Sequence, residues 1–231
     1  MTVNFTTWKG ITDGQTYGIP DSVVLLDDWA DNQLTSNRED YQTTSFTGSD
    51  STLVEQGASG SLSRPEWTVD NGSPSVSNAE LTVNSEDRLR TPLSLTTLDN
   101  TTWEFKISDV QNLESNGYVS LVANSTTYRE SVQNLQDGYF VFIGDSNLAL
   151  VEDSAGSTTS LIEKGESPPN EPFVCRVERD ASGNWELFID NVSVGTATDT
   201  THTTSDRISL ATATTGGGGY NFDWFAIDQS D

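Results

Sequence analysis

The one histidine and the one cysteine are the first candidates for acid–base or nucleophilic chemistry. His202 lies in a threonine-rich run, residues 200–204, and Cys175 has the spacing that places it on the same side of a strand as Phe173 and Val177. A histidine in such a polar run is typical of a surface loop, whereas a general base needs a partner within hydrogen-bond reach. A thiol on the apolar side of a strand is buried and inert. We therefore expect neither residue to take part in catalysis.

Paired carboxylates are the second candidate, because glycoside hydrolysis uses two of them about 5–9.5 Å apart across the sugar bond. Glu186 and Asp190 have the spacing that places both on one face of a strand. The same spacing is ordinary on the solvent face of a hairpin. The residues thus offer no catalytic constellation, and we expect the protein not to be an enzyme; a glycoside hydrolase is the less favoured alternative.

Acidic side chains dominate the charge of the 231-residue chain. Asp and Glu total 35 against 11 Lys and Arg, which gives a formal net charge of −24. Such a surface repels phosphate backbones and anionic bilayers, which argues against nucleic-acid binding. The acids are spread among apolar runs, a pattern typical of folded halophilic proteins. The alternative is an acidic extracellular domain from an ordinary organism.

The chain shows neither a membrane span nor a targeting segment. No stretch of 18 apolar residues occurs, so we expect no membrane insertion. Residues Met1 to Phe5 do not join a basic region to an apolar run, so they predict no secretory signal. We expect the protein to be made and folded inside a cell. Because Cys175 is alone, no disulfide can form within the chain.

Apolar residues recur with a period of two along most of the chain. The run Trp103–Ile107 alternates large apolar residues with charged ones, and turn dipeptides stand at 71–72, 116–117 and 137–138. No run of ten residues shows the period of a helix. Many short strands separated by turns predict an all-β protein, a two-sheet antiparallel β-sandwich of the jelly-roll kind.

The two ends of the chain differ in character. Residues 1–22 are irregular, since Gly and Pro interrupt any period, yet they carry apolar anchors such as Phe5 and Trp8. We interpret them as an N-terminal arm that packs on a neighbouring chain or a carrier protein. Residues 23–231 form the predicted jelly-roll domain, with a long polar loop over 30–64. The length fits one large sandwich better than two small domains.

Three segments resemble one protein family. The run Arg179–Asn191, followed by Val194 and Gly195, is similar to a hairpin of concanavalin A-like lectin/glucanase domains, including laminin-G-like modules. Asn191 stands where that hairpin usually has Gly, and Asn also tolerates a positive φ. The opening run 26–29 and the closing run 222–228 resemble the paired terminal strands of that fold. The resemblance spans roughly 23–228 and implies a fold that hosts lectins, hydrolases and adhesion modules.

The resemblance also implies what to look for in a site. Glucanases of the family carry Glu-x-Asp-x-x-Glu on one strand, and this sequence contains no such run. Related jelly rolls often hold Ca²⁺ where the first and last strands meet, which here points to Asp27 or Asp28 and to Asp223. Neighbouring side chains of a strand point to opposite faces, so only one of the first two can share a site with Asp223. We choose Asp28 with Asp223, completed by backbone carbonyls, as a structural Ca²⁺ site.

These observations lead to one preferred function and two alternatives. We predict a virion structural or surface protein of a halophilic archaeal virus, in a capsid decoration, turret or tail, with a lectin-like module. It would associate with itself and other virion proteins and bind a host-surface glycan or glycoprotein through loops at one end of the sandwich. It would be assembled in the host cytoplasm. The alternatives are a haloarchaeal carbohydrate-binding protein, at the cell surface or outside it, and a glycosidase.

The charge balance predicts that salt stabilises the fold. In molar salt the Debye length falls to about 3 Å, so repulsion among the acids is screened. The melting temperature should therefore rise steeply as KCl goes from dilute to molar. A neutral osmolyte at matched osmolality serves as the control. A melting temperature that stays constant across the salt series would refute the halophilic interpretation.

Overall fold

The computed structural model describes residues 23–27, 67–77, 80–110, 116–124, 137–144, 146–166, 168, 172–212 and 219–229. The predicted arm 1–22, the predicted loop 30–64 and Asp28 lie outside these ranges. The described residues form strands and turns, and they contain no helix that could cross a bilayer.

The described residues contain fifteen strands: β1 Val23–Asp27, β2 Thr68–Asn71, β3 Ser75–Ser77, β4 Glu80–Val83, β5 Arg88–Leu95, β6 Thr101–Val110, β7 Gly117–Ala123, β8 Gly138–Ile143, β9 Leu148–Ser154, β10 Ser157–Glu163, β11 Phe173–Arg179, β12 Asn184–Ile189, β13 Val192–Thr198, β14 Ser205–Thr212 and β15 Tyr220–Gln229.

The strands form two antiparallel sheets. One has eight strands in the order β13-β12-β11-β6-β15-β4-β3, with β1 also paired to β15. The other has seven strands in the order β10-β9-β8-β7-β14-β5-β2. This arrangement confirms the predicted two-sheet β-sandwich. Each sheet combines consecutive hairpins with pairs that are distant along the chain, such as β6-β15 and β7-β14, so the sheets can form only once these remote segments meet.

The first and last strands pair as the resemblance implied. Leu26 lies opposite Ala226, and Asp27 lies opposite Phe225. Along the same edge of β15, Phe222 lies opposite Leu81 of β4. Strands β4 and β1 therefore pair with successive parts of the same edge of β15, and residues 23–27 belong to the sheet.

Period-two alternation supplies the core between the sheets. Trp103, Phe105 and Ile107 of β6 are fully buried, as their spacing predicts. The indole of Trp103 stacks on that of Trp185 in β12 with ring centroids 5.6 Å apart. Tyr139 of β8 crosses from the other sheet to lie 4.3 Å from Trp185. Aromatic rings thus join the two sheets across the core.

The hairpin between β12 and β13 confirms the role given to Asn191. Asp190 and Asn191 both have positive φ, 49° and 65°. Two successive residues with positive φ are typical of the type I′ turn, whose twist matches that of the flanking strands. Asn replaces Gly here because its short polar side chain tolerates the left-handed region.

Gly138 marks a place where β7 and β8 approach too closely for a side chain. A Cβ there would overlap the carbonyl oxygen of Val122, beside the irregularity between Ser120 and Val122 of β7. We predict that Gly138→Ala lowers the free energy of unfolding by about 1–3 kcal/mol, the usual cost of overpacking. Denaturant unfolding measures this loss.

Gly195 provides the matched control for that substitution. Its Cβ would meet only the Cγ2 of Ile162, at 3.2 Å. Gly195→Ala should therefore leave the unfolding free energy within about 0.5 kcal/mol of the original value. Equal stability of the two variants would show that the β7–β8 approach is not tight.

Candidate functional site

The outer face of the eight-stranded sheet is occupied by internal ion pairs. Lys106 Nζ lies 2.8 Å from Asp223 Oδ2. Arg176 pairs with Glu178, and its guanidinium lies 4.0 Å above the ring of Phe188. A ligand on this part of the sheet would have to break charge pairs that already satisfy one another.

The outer face of the seven-stranded sheet has a different chemistry. Side chains that alternate with the core positions of β7, β8, β9 and β14 form an apolar patch, which we call the outer cluster: Tyr118, Phe140, Phe142, Ala149, Val151 and Ala211. The ring of Tyr118 lies 5.8 Å from that of Phe140 and meets Phe142 edge-on at 5.4 Å. The sheet is therefore apolar on both of its faces in this region.

A groove of about 430 Å³ lies over the outer cluster. Aromatic and small apolar side chains line one part of it, and Gly156 with the polar residues Asn147, Thr158 and Ser160 lines the rest. This volume suits a small organic ligand. An aromatic surface stacks on the apolar face of a sugar ring, while hydroxyl and amide groups bond to the sugar hydroxyls. The groove thus has the chemistry of a carbohydrate subsite.

Tyr118 contributes a polar group at this apolar surface. Burial raises the pKa of its phenol, because the charged form loses hydration. The hydroxyl is therefore protonated at every physiological pH and can donate a hydrogen bond to a ligand oxygen.

A second polar cluster joins the sheets at one end of the sandwich, and it contains His202. The Nε2 of His202 lies 3.1 Å from Glu152 Oε1 and 3.1 Å from the carbonyl oxygen of Asp153. Both partners are acceptors when Glu152 is ionised, so Nε2 carries the hydrogen. The backbone N–H of His202 donates to the hydroxyl of Tyr139 at 3.2 Å. His202 lies in a loop, as predicted, but its side chain is only 9% exposed and takes part in this cluster.

Hydrogen bonds of Asp199 and Tyr139 connect the same cluster to residues of the core. The Tyr139 hydroxyl donates to Asp199 Oδ1, and burial together with this bond raises the pKa of the phenol. Partial burial opposes ionisation of Asp199, but hydrogen bonds from Tyr139 and Thr201 outweigh it and lower the pKa of the carboxyl. The indole N–H of Trp185 donates to the Asp199 carbonyl at 3.0 Å. This cluster fixes the β13–β14 loop onto both sheets.

The other sequence candidates for catalysis do not come together. Cys175 is fully buried, and burial raises the pKa of its thiol, which confirms it as a core residue. Glu186 lies opposite Glu178 in the sheet. Asp190 lies in the type I′ turn and accepts the backbone N–H of Val174 at 2.9 Å. These two carboxylates serve the surface and the turn of the hairpin.

The predicted calcium ligands are placed only in part. Asp28 lies outside the described residues, and Asp223 already accepts a hydrogen bond from Lys106. A cation at Asp223 would therefore have to displace or share the place of that ammonium group. Among the described residues, no group of three His, Cys, Asp or Glu is arranged to hold a metal ion. The Asp28–Asp223 site stays a prediction.

The groove was missed at the level of sequence because its signal is ambiguous. The run from Tyr139 to Ile143 is apolar at nearly every position, which is typical of any central strand. Such a run does not show which residues face the core and which face outward. Alternation in the neighbouring strands, together with the order of the sheet, would be needed to separate them.

Solved structures share this fold at low sequence identity. The carbohydrate recognition domain of Emp47p aligns with TM-score 0.56 and 14% identity, covering 71% of this chain and 89% of that chain. The exoplasmic/lumenal domain of VIP36, in a form bound to Ca²⁺ and Man3GlcNAc, aligns with TM-score 0.58 and 10% identity, covering 71% and 84%. The binding domain of botulinum neurotoxin serotype D aligns with TM-score 0.56 and 15% identity, covering 91% and 49%.

These likenesses show that the chain has the β-sandwich fold found in lectin-type carbohydrate recognition domains. The chain spans about half the length of the botulinum domain. No protein-family model and no curated protein matches the sequence.

The lowered pKa of Asp199 predicts how acid affects the inter-sheet cluster. A carboxyl whose pKa is depressed by folding stabilises the fold above its unfolded pKa, about 3.9, and loses this contribution as the pH falls through its folded pKa. Asp199→Asn should therefore cost about 1–2 kcal/mol at pH 7, and the cost should shrink below about pH 4. Unfolding by denaturant at a series of pH values measures the difference.

Tyr139→Phe provides the control, because it removes the donor and keeps the carboxylate. It should reproduce most of the loss at pH 7. The assignment would be contradicted if the free energies of unfolding of Asp199→Asn and the original protein differed by the same amount from pH 3 to pH 7.

Proposed function

We propose that this protein is a lectin-like carbohydrate-binding module whose ligand lies in the groove on the outer face of the seven-stranded sheet. The observation that carries the proposal is the outer cluster, in which Tyr118 contacts both Phe140 and Phe142 beneath a groove on the face away from the main core. Tyr118 and Phe140 are buried there, and Phe142 is half-buried, so Phe142 is the ring of this cluster that a ligand in the groove can reach most readily.

The lining of the groove supports a sugar over a purely apolar ligand. Thr158 and Ser160 stand on β10 beside Ala149 and Val151 of β9. Hydroxyl groups at the border of an aromatic surface match a pyranose ring, which has apolar C–H faces and polar edges. A lipid or aromatic ligand would leave these hydroxyls without partners inside the bound interface.

The same lining favours binding over hydrolysis. The described residues that line the groove include no Asp, Glu or His. The nearby Asp153 is held by the backbone N–H of Gly156, which Oδ1 accepts at 2.8 Å. A glycosidase needs two carboxylates that flank the scissile bond. We therefore propose a binding protein rather than an enzyme.

The proposal moves the ligand from the place that the sequence suggested. Loops at one end of the sandwich were expected to bind the glycan, with aromatic residues exposed there. At the end that holds Asp199 and His202, the side chains are engaged in bonds between the sheets. The sheet face offers aromatic rings that make no such bonds, so it is the better candidate.

The proposed setting is the surface of a virion, where the module would attach to a host glycan. The charge balance and the lectin-type fold support this setting. The protein would then associate with further copies of itself and with other virion proteins. Neighbouring genes for capsid, tail or portal proteins are the observation that tests it. Neighbouring genes that encode metabolic enzymes would favour the alternative, a cellular carbohydrate-binding protein.

The binding proposal predicts a selective effect of Phe142→Ala. Phe142 is half-buried in the outer cluster, so its loss removes a stacking surface without opening the core. On a glycan array in molar salt the original protein should retain at least one glycan class. Phe142→Ala should weaken that affinity about tenfold, which corresponds to about 1.4 kcal/mol.

Phe188→Ala is the matched control, because Phe188 is a half-buried ring on the outer face of the opposite sheet. It should cost similar stability and leave binding unchanged. An array with no retained glycan, or equal losses of affinity in both variants, would overturn the proposal.

A further inference from the structure

The strands that line the groove carry negative charge and no positive charge. β7, β8, β9 and β10 contain neither Lys nor Arg, whereas they contain the acids Glu152, Asp153 and Glu163. The Arg residues of this sheet stand on β5 and β14. Lys164, which follows β10, pairs with Glu166 at 3.1 Å. An anionic ligand in the groove would therefore meet no cation on the strands that line it.

Glu163 extends the polar border of the groove along β10. Its neighbour Ile162 is buried in the main core, and Glu163 itself lies opposite Ala149 of the outer cluster. Opposite residues of an antiparallel pair share one face, so Glu163 stands on the same outer face as Thr158 and Ser160. We call these three residues the polar row. All three are exposed, so a ligand in the groove can reach them.

Asn147 supplies a donor at the Glu163 end of the groove. Its Oδ1 accepts the backbone N–H of Gly165 at 3.2 Å, so Nδ2 is the group that it offers to a ligand. The hydroxyls of Thr158 and Ser160 can donate or accept, and the Glu163 carboxylate accepts. This set of groups matches sugar hydroxyls, each of which can both donate and accept.

We propose that the groove selects an uncharged glycan and that Glu163 is the residue that excludes acidic ones. The inference rests on the proposed function, because it concerns which glycans the groove accepts. The hydroxyls of a neutral sugar donate charge-assisted hydrogen bonds to the carboxylate. A uronate or a sulfate would instead place a second negative charge beside the first, and such a contact discriminates against the wrong ligand.

The polar row also sets a minimum length for the ligand. Thr158 lies opposite Asp153, and Glu163 lies opposite Ala149, four residues earlier on β9. The two ends of the row are therefore roughly 13 Å apart along the strand. One sugar ring cannot contact both ends, so the ligand is a disaccharide or longer. The same separation of Asp153 from Glu163 exceeds the roughly 9.5 Å limit for the paired carboxylates of a glycosidase.

Molar salt separates this local effect from the charge of the whole chain. The net charge of −24 repels any anion at low ionic strength. In molar KCl the Debye length is about 3 Å, so distant acids are screened and only a carboxylate close to the ligand still acts on it. A preference for neutral glycans that persists in molar KCl therefore originates at the groove.

The test uses the whole chain on an array of matched glycans in molar KCl. Each neutral glycan is printed beside a form in which one primary alcohol is oxidised to a carboxylate and a form in which it is sulfated. The original protein should retain neutral members and bind their acidic forms at least about tenfold more weakly, a difference of about 1.4 kcal/mol. A neutral disaccharide should bind more tightly than its monosaccharide.

Glu163→Gln is the decisive variant, because it removes the charge and keeps the size of the side chain. Neutral members should bind about threefold more weakly, since charge-assisted hydrogen bonds become ordinary ones, and acidic members should bind more tightly than they do to the original protein. A partly unfolded variant would lose affinity for both kinds, so the opposite changes exclude a folding defect.

Glu186→Gln is the matched control. It removes the same charge from the outer face of the opposite sheet, where Glu186 lies opposite Glu178. It should leave the preference between neutral and acidic members as it was.

The outcomes separate this inference from the function on which it rests. Acidic members that bind the original protein as tightly as neutral ones overturn the selectivity, and so does an equal preference in Glu163→Gln and the original protein. The groove stands in both cases. A monosaccharide bound as tightly as the disaccharide overturns the placement along the polar row. An array on which nothing is retained overturns both proposals.

Discussion

The structure depends on one constraint in β8: adjacent side chains must serve opposite faces of the seven-stranded sheet. Tyr139, Val141 and Ile143 point into the core, and Phe140 and Phe142 therefore point outward. A slip of one residue in the register would exchange the two sets and turn Phe140 and Phe142 towards the main core. The core and the candidate site are consequently fixed by the same backbone, and neither can move without the other.

The inter-sheet cluster provides the rigidity that such a shared backbone needs. Tyr139 packs on Trp185 of the opposite sheet and bonds to Asp199, while His202 reaches Glu152 of β9. The loop between β13 and β14 is thereby tied to both sheets, and β14 enters the sheet from a fixed point. Because β14 also carries Ala211, which lies opposite Tyr118, this fixed entry positions one border of the outer cluster.

The sequence predicted the elements whose alternation is strict and missed those whose alternation is mixed. The hairpin Phe173–Ile189 and the strand at Trp103 were readable because each has one apolar and one polar face. The strand Arg88–Leu95 was missed because Thr91 takes an apolar residue's place on its buried face and Pro92 is atypical of a strand interior. The partners of His202 were not predicted because they come from β8 and β9, 50 to 63 residues away. Contacts between residues so far apart along the chain leave no pattern in the local sequence from which they could be predicted.

The acidic composition also determines where the few cations can stand. Arg90, Lys106, Lys164, Arg176, Arg179 and Arg207 each contact a carboxylate. Because carboxylates are in such excess, a Lys or Arg side chain among the described residues is expected to lie beside one of them.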